Sequence, residues 1–273
     1  MLIGQALTEA RARLIRAGID SAGLDAAVLL SHLTRLPRAS LIARDDRTLD
    51  PAVERAYFAL IARRARSEPC AYLTGWKDFY SLRLKVTDAV LIPRPESELL
   101  VEAAAAYQPE SVLDLGTGSG ALILAVKSLL PRARCLGTDL SPAALEVARE
   151  NARSLGLDVE FLRSRWFEDL PARRWDLILS NPPYVAAGDP HLERCGLNYE
   201  PRGALVSGAD GLKDIRILIS GAPAFLAPGG RLLLEHGWDQ GERVRDLFGK
   251  RGYTRVRTLR DLGGRERVTL GQI

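Results

Sequence analysis

The run Ser-Asn-Pro-Pro-Tyr, residues 180 to 184, places an amide, two imino acids and an aromatic ring directly after an apolar segment. Pro182 biases Asn181 toward an extended backbone. Each proline fixes its own φ and lacks an N–H, so Pro183 continues the stiffening. The loop therefore presents acceptors: the side-chain oxygen of Asn181 and the backbone carbonyl of Pro182. Two acceptors suit a target nitrogen that carries two N–H donors, as in a carboxamide or the exocyclic amine of a base. The lone pair of such a nitrogen is delocalised and weakly nucleophilic. Gripping both protons aims the lone pair at an electrophile and favours its localisation as a bond forms. Tyr184 can stack on the planar group and exclude water. The bland reading is a rigid loop with a packed tyrosine, and it has to be weighed against what stands elsewhere in the chain.

A second cluster is Asp-Leu-Gly-Thr-Gly-Ser-Gly, Asp114 to Gly120. Its loop residues Gly116, Thr117, Gly118, Ser119 and Gly120 match neither the Gly-x-Gly-x-x-Gly of dinucleotide sites nor the Gly-Lys-Ser/Thr ending of a P-loop. By itself such a run can be a tight turn. A loop that admits a ligand to the backbone without a phosphate partner suits a nucleoside with an uncharged linker. Asp139 follows about 20 residues later, at the end of the next apolar segment, where a carboxylate can accept hydrogen bonds from both ribose hydroxyls. It could instead cap a helix, but Ser141 is placed for that. Glycine loop, ribose carboxylate and missing phosphate machinery together suggest S-adenosylmethionine, with S-adenosylhomocysteine as product. A nitrogen just methylated is strongly acidic and needs no dedicated base, which agrees with the dispersal of His32, His191 and His236.

These residues need a sheet to position them. From Ser111 onward the sequence repeats strand, glycine-bearing turn and helix: "SVLDLGTGSGALILAVKSLL", then "ARCLGTDLSPAALEVARENARSLG" with Ser141 as N-cap and Pro142 at the first helical position. "VEFLRS", "WDLILS" and "GGRLLLEHG" read as further strands, "LKDIRILISGAPAFL" and "GERVRDLFGKRG" as helices. Such alternation implies an α/β fold with a parallel sheet, right-handed crossovers and helices on both faces. The final "TRVRTLRDLGGRERVTLG" reads as two strands joined by a short turn, hence antiparallel. Residues 1–73 read as a small helical domain, with Asp50 capping a helix that begins at Pro51. Residues 74–93 alternate apolar and polar side chains as a β-hairpin linker, and 94–273 form the domain carrying the two clusters.

The chain has 273 residues, enough for one large domain or a catalytic domain with a smaller companion. No apolar run approaches the roughly 20 residues of a membrane span, and the N-terminus lacks a signal-peptide layout, so the cytoplasm is expected. The net charge of +4 is spread among interleaved acids and bases, which favours a solvated surface over a basic groove; stable nucleic-acid binding is not expected. Cys70, Cys135 and Cys195 have neither metal spacing nor a disulfide framework.

The ordered set "YLTG", "DFYSL", "LIPRPESELLVE", "DLGTGSGA", "TDLSPAALEVARENA", "WFEDL", "SNPPY", "GADGLKDI", "LLLEHGWDQGE" and "RERVTLG" resembles the PrmC/HemK family, the release factor glutamine methyltransferases, over nearly the whole chain. Ser97 departs slightly, since that family often has Thr there. The resemblance implies a class I methyltransferase sheet of about seven strands behind a helical N-terminal domain. It implies contacts of S-adenosylmethionine with residues 116–120, Asp139 and Trp166, and Asn181 beside the reacting methyl. Without it, Trp166 reads more readily as core. The implied substrate is the glutamine of the Gly-Gly-Gln motif of class 1 peptide-chain release factors, its amide held by Asn181, Pro182, Pro183 and Tyr184, with the N-terminal domain helping to dock the partner. Asn181, Pro182 and Tyr184 would carry the catalysis. The residues alone leave three rivals open: a glutamine methyltransferase of a ribosomal protein, an exocyclic-amine methyltransferase of DNA or RNA, and a binding protein with a dead site. The roles of Arg94, Glu96 and "GWDQGE" stay open as well.

Overall fold

The strand and helix signals of the sequence become nine strands and ten α-helices in a computed structural model that describes residues 1–193 and 196–273. Cys195 lies outside the described residues, whereas Cys70 and Cys135 are free thiols. The chain divides into two compact units, residues 1–76 with 193–199, and residues 77–192 with 200–273.

The first unit is helical: α1 (Ile3–Arg16), α2 (Ala22–Thr34), α3 (Arg38–Ile42), α4 (Pro51–Arg64) and α5 (Cys70–Thr74). Asp50 caps α4 through the amides of Ala52 and Val53, with Pro51 at the first helical position. Ala6, Leu14, Leu29, Leu30, Tyr57 and Ile61 form its own core. Burying a side chain of the Leu or Ile class contributes about 1.5–3 kcal/mol. Tyr57 reaches the Ala26 carbonyl at 3.0 Å, which satisfies its buried hydroxyl.

The chain continues with the hairpin β1 (Trp76–Phe79) and β2 (Leu82–Lys85), which from Lys77 on belongs to the second unit, then α6 (Glu98–Ala105). There follow β3 (Ser111–Leu115), α7 (Ala121–Leu129), β4 (Arg134–Asp139), α8 (Pro142–Leu155), β5 (Glu160–Arg163), β6 (Trp175–Ser180), α9 (Lys213–Gly221), β7 (Leu226–Glu235), α10 (Gly241–Lys250), β8 (Thr254–Arg260) and β9 (Glu266–Gln272). The sheet has seven strands in the order β5-β4-β3-β6-β7-β9-β8. β3 to β7 run parallel, and β9 lies antiparallel to both β7 and β8. β3 is buried throughout, as a strand covered by helices on both faces must be. One apolar layer gathers Leu100, Val112, Ile123 and Leu177, and the other Leu113, Trp175, Ile178, Leu218 and Phe248.

The strand order reverses between β3 and β6. In an open parallel sheet this is where a crevice forms at the carboxyl ends of the strands. The glycine loop after β3 and the Asn-Pro-Pro-Tyr run after β6 leave the sheet on the two sides of that point. No helix among the described residues is long and apolar enough to cross a membrane.

Candidate active site

A cavity of about 390 Å³ occupies the crevice, within the usual range for small-molecule sites. Its wall includes Gly116, Thr117, Gly118 and Ser119 from the loop after β3, Asp139 and Ser141 after β4, Trp166 after β5, and Asn181 and Pro183 after β6. Residues far apart in sequence, grouped above by chemical type alone, thus meet at one place. Gly120, Pro182 and Tyr184 are not among the lining residues, although each directly follows one that is.

Each loop has a local reason for its shape. Gly116 has φ +77, and a Cβ there would come 3.3 Å from the Trp166 ring, so the loop and the indole pack where only glycine fits. Gly120 has φ +82 at the start of α7, and its missing Cβ makes room for Leu124 and Ala148. Asp139 is used twice. Its Oδ2 accepts from the Gly118 N–H and its Oδ1 from the Ser141 N–H, each at 2.9 Å. Ser141 also caps α8 by accepting from Ala144 N at 3.2 Å. Capping therefore falls to Ser141, as expected, while the carboxylate tethers the glycine loop to β4. Burial raises the Asp139 pKa, and the N–H groups of Ser141 and Gly118 oppose that by stabilising the anion.

Beneath the loop, the Thr117 hydroxyl donates to Asp114 Oδ2 at 2.6 Å. Asp114 Oδ1 is buried and has no hydrogen-bond partner among the described residues. Burial pushes this carboxyl up to about 7. Trp166 belongs to the packing and to the cavity wall at once. It packs against the second apolar layer and lines the cavity. Its Nε1–H donates to Asp214 Oδ1 at 3.1 Å, and Asp214 is itself fixed by the Ser207 hydroxyl at 2.6 Å.

On the opposite wall, Asn181 Nδ2 donates to the Ser97 hydroxyl oxygen at 3.0 Å. One of its two N–H groups is thereby engaged, and Oδ1 is left as an acceptor. Tyr184 is anchored at both ends. Its hydroxyl donates to Glu235 Oε1 at 3.3 Å, and its carbonyl accepts from Gln240 Nε2 at 2.9 Å. Burial, then the nearby Glu235 carboxylate, raises its pKa.

Several of these supports escaped sequence reasoning. Gln240, from the unexplained "GWDQGE", holds the Tyr184 carbonyl and accepts from Gly237 N at 2.8 Å. Gly211, in "GADGLKDI", has φ +75, and a Cβ there would lie 2.3 Å from the Tyr184 carbonyl oxygen. Arg94 pairs with the buried carboxylate of Glu200, whose other oxygen accepts from Ile92 N at 3.0 Å. That pair fastens the 91–93 segment to the 201–204 segment, both of which line the cavity. The prolines and glycines are visible in the sequence, but Gly211 and Gln240 lie 27 and 56 positions from Tyr184, and Arg94 lies 106 from Glu200, beyond any local pattern.

Comparison with known proteins fits this geometry. The PrmC N-terminal domain family matches residues 5–75, and the methyltransferase small domain family matches residues 95–194. The chain is 46% identical over 275 residues to the release factor glutamine methyltransferase of Vibrio cholerae, covering 99% of this chain and 96% of that protein. This chain belongs to the release factor glutamine methyltransferase family. The family protein of Burkholderia pseudomallei is 47% identical over 96% of this chain and 95% of its own length. A methyltransferase from Pyrococcus furiosus shares the fold, with a TM-score of 0.55 at 18% identity over 71% of this chain and 89% of that one. The seven-stranded class I architecture expected of the family is the one observed.

Proposed function

We infer that the chain is an S-adenosylmethionine-dependent methyltransferase acting on the side-chain amide nitrogen of the glutamine in the Gly-Gly-Gln motif of class 1 peptide-chain release factors. The observation that carries the reading is the Asn181–Ser97 hydrogen bond. It orients the Asn181 carboxamide through one N–H and leaves the side-chain oxygen as an acceptor on a cavity wall shared with the glycine loop and Asp139.

The residues present fit the cofactor. Asp139 offers a carboxylate to vicinal hydroxyls, Gly116 and Gly118 bring backbone without side chains, and Trp166 offers a ring face for a base. When bound, S-adenosylmethionine supplies an electrophilic methyl on a sulfonium centre. Asn181 Oδ1 accepts from the target NH₂, and the Pro182 carbonyl is suited to take its second proton. Holding both protons draws electron density out of amide resonance toward the nitrogen lone pair as the new bond forms. The extra proton on the methylated nitrogen is acidic enough to leave to water. Pro183 and Tyr184 stiffen the loop so that the acceptors need little reorganisation.

Residues 1–73 form the helical part suited to docking the release factor, 74–93 the hairpin link, and 94–273 the catalytic part. The substrate points to the cytoplasm, and a surface of interleaved charge supports no stable nucleic-acid complex. Labelled S-adenosylmethionine offered separately with release factor, ribosomal proteins, tRNA and DNA tests the reading. Label on the release factor glutamine is expected, and label confined to ribosomal protein or nucleic acid sinks it.

A further inference from the structure

Trp166 stands in a conformation that a bulky side chain rarely adopts. Its φ is +54, in the left-handed region where a Cβ crowds the backbone. Such a residue persists only where its surroundings hold it there. Three contacts do so. The Ser164 hydroxyl donates to the Trp166 carbonyl at 3.0 Å. The ring lies against Gly116, where a Cβ would come within 3.3 Å of it. The indole Nε1–H donates to Asp214 Oδ1 at 3.1 Å. An indole has one donor and no acceptor, so this is the one hydrogen bond that can set how the ring is turned.

Asp214 can hold the ring because it is held itself. Its Oδ2 accepts from the Ser207 hydroxyl at 2.6 Å, and its backbone N–H donates to the Ser207 hydroxyl oxygen at 2.8 Å. A carboxylate serves both neighbours at once, one oxygen for each. Ser207 is buried, and its own N–H donates to the Val185 carbonyl at 2.9 Å. Val185 directly follows Tyr184, and its N–H donates to the Leu205 carbonyl at 2.9 Å. One hydrogen-bonded frame thus runs from the segment that continues the Asn-Pro-Pro-Tyr run to the indole on the cavity wall.

We propose that Asp214 is a positioning residue for the cofactor: it turns the Trp166 ring so that a face is offered to the adenine, and it ties that face to the loop that carries Asn181. The proposal rests on the S-adenosylmethionine reading above and goes beyond it by naming the residue that prepares the base subsite. A ring already turned for stacking loses little freedom when the base arrives. A ring without an acceptor for its N–H can swing, and binding then has to still it.

The test is a double-mutant cycle between Asp214→Ala and Trp166→Phe, because phenylalanine keeps a ring and has no N–H. Affinity for S-adenosylhomocysteine is read by calorimetry, and KM and kcat with release factor as methyl acceptor. Asp214→Ala should weaken S-adenosylhomocysteine binding about 10-fold and raise the KM for S-adenosylmethionine about as much, with a smaller fall in kcat. Asp214→Asn, which still offers an oxygen to the indole, should recover most of that loss. In the Trp166→Phe background, Asp214→Ala should cost less than about twofold, because the bond it removes is already gone. Losses that multiply overturn the proposal, since Asp214 then acts other than through the indole. The second readout uses no ligand: NMR of the indole N–H groups in the protein alone, with the Trp166 signal identified by its disappearance in Trp166→Phe. That signal should shift and exchange faster with solvent in Asp214→Ala, and should move the same way in Ser207→Ala, which leaves the carboxylate present but unbraced. A Trp166 signal that stays put in both variants overturns the proposal. So does an equal change in all the indole signals, because that is a general loosening of the fold. A wild type that binds no S-adenosylhomocysteine refutes the cofactor reading instead, and the indole signal still decides whether Asp214 holds the ring.

Discussion

A carboxamide has two ends of nearly equal size and opposite hydrogen-bonding sense, so an asparagine that must accept needs a neighbour to tell its ends apart. Ser97 performs that task for Asn181. Serine and threonine both carry the hydroxyl that this contact uses, so Ser97 serves where the family often has Thr. Asn181→Ala removes the acceptor without touching the glycine loop. Its kcat should fall about 10²- to 10³-fold, as when a transition-state hydrogen-bonding group is deleted, with cofactor affinity by calorimetry little changed; near wild-type turnover would refute the assignment. Asp139→Ala should do the reverse. It removes the carboxylate offered to the ribose and frees Gly118 from its tether. Cofactor affinity should weaken by about 1–3 kcal/mol, with the circular dichroism of the fold retained; unchanged affinity would end the ribose role.

At the level of elements, the site depends on how loops are clamped from behind. The Tyr184 carbonyl is gripped by Gln240, which lies just ahead of α10, and Gly211 packs against the same oxygen ahead of α9. Adding a methyl to Gly211 forces a residue at φ +75 and a clash at 2.3 Å. Gly211→Ala should therefore cost at least about 1–3 kcal/mol in denaturant unfolding and should lower kcat as well, because the acceptor loop has to shift. An unchanged unfolding midpoint would show the loop to be slack. The strands, helix starts and glycine turns are legible because their causes are local: Pro51 after Asp50, Pro142 after Ser141, and the Val and Leu side chains of β3. The clamps were not legible. Gln240 and Gly211 carry no periodicity, and their meaning lies in a partner that only the folded sheet brings near.

For the molecule as a whole, two fully buried carboxyls, Asp114 and Glu235, stand beside the crevice, each pushed to about 7 by burial. A group raised above its unfolded value binds its proton more tightly in the native state. The stability it contributes is full below the unfolded pKa of about 4 and is lost as pH rises through the folded value. His236, lowered by burial, acts in the opposite sense as pH falls through the usual histidine range. Between pH 6 and 8 the wild type should lose stability, and Asp114→Asn should lose less, as read by chemical denaturation at each pH; parallel profiles would contradict the burial argument. The class of fold and part of the cavity lining are legible in the sequence, whereas ionisation depends on depth, which no local stretch records. Depth also separates the four tryptophans. Trp175 is wholly enclosed, Trp76 and Trp238 are exposed at 39% and 61%, and Trp166 alone stands on the cavity wall. A ligand that fills the cavity changes the surroundings of one indole in four, so intrinsic emission measured on the unlabelled protein, with Trp166→Phe as the blank, gives an optical binding assay built into the wall of the site.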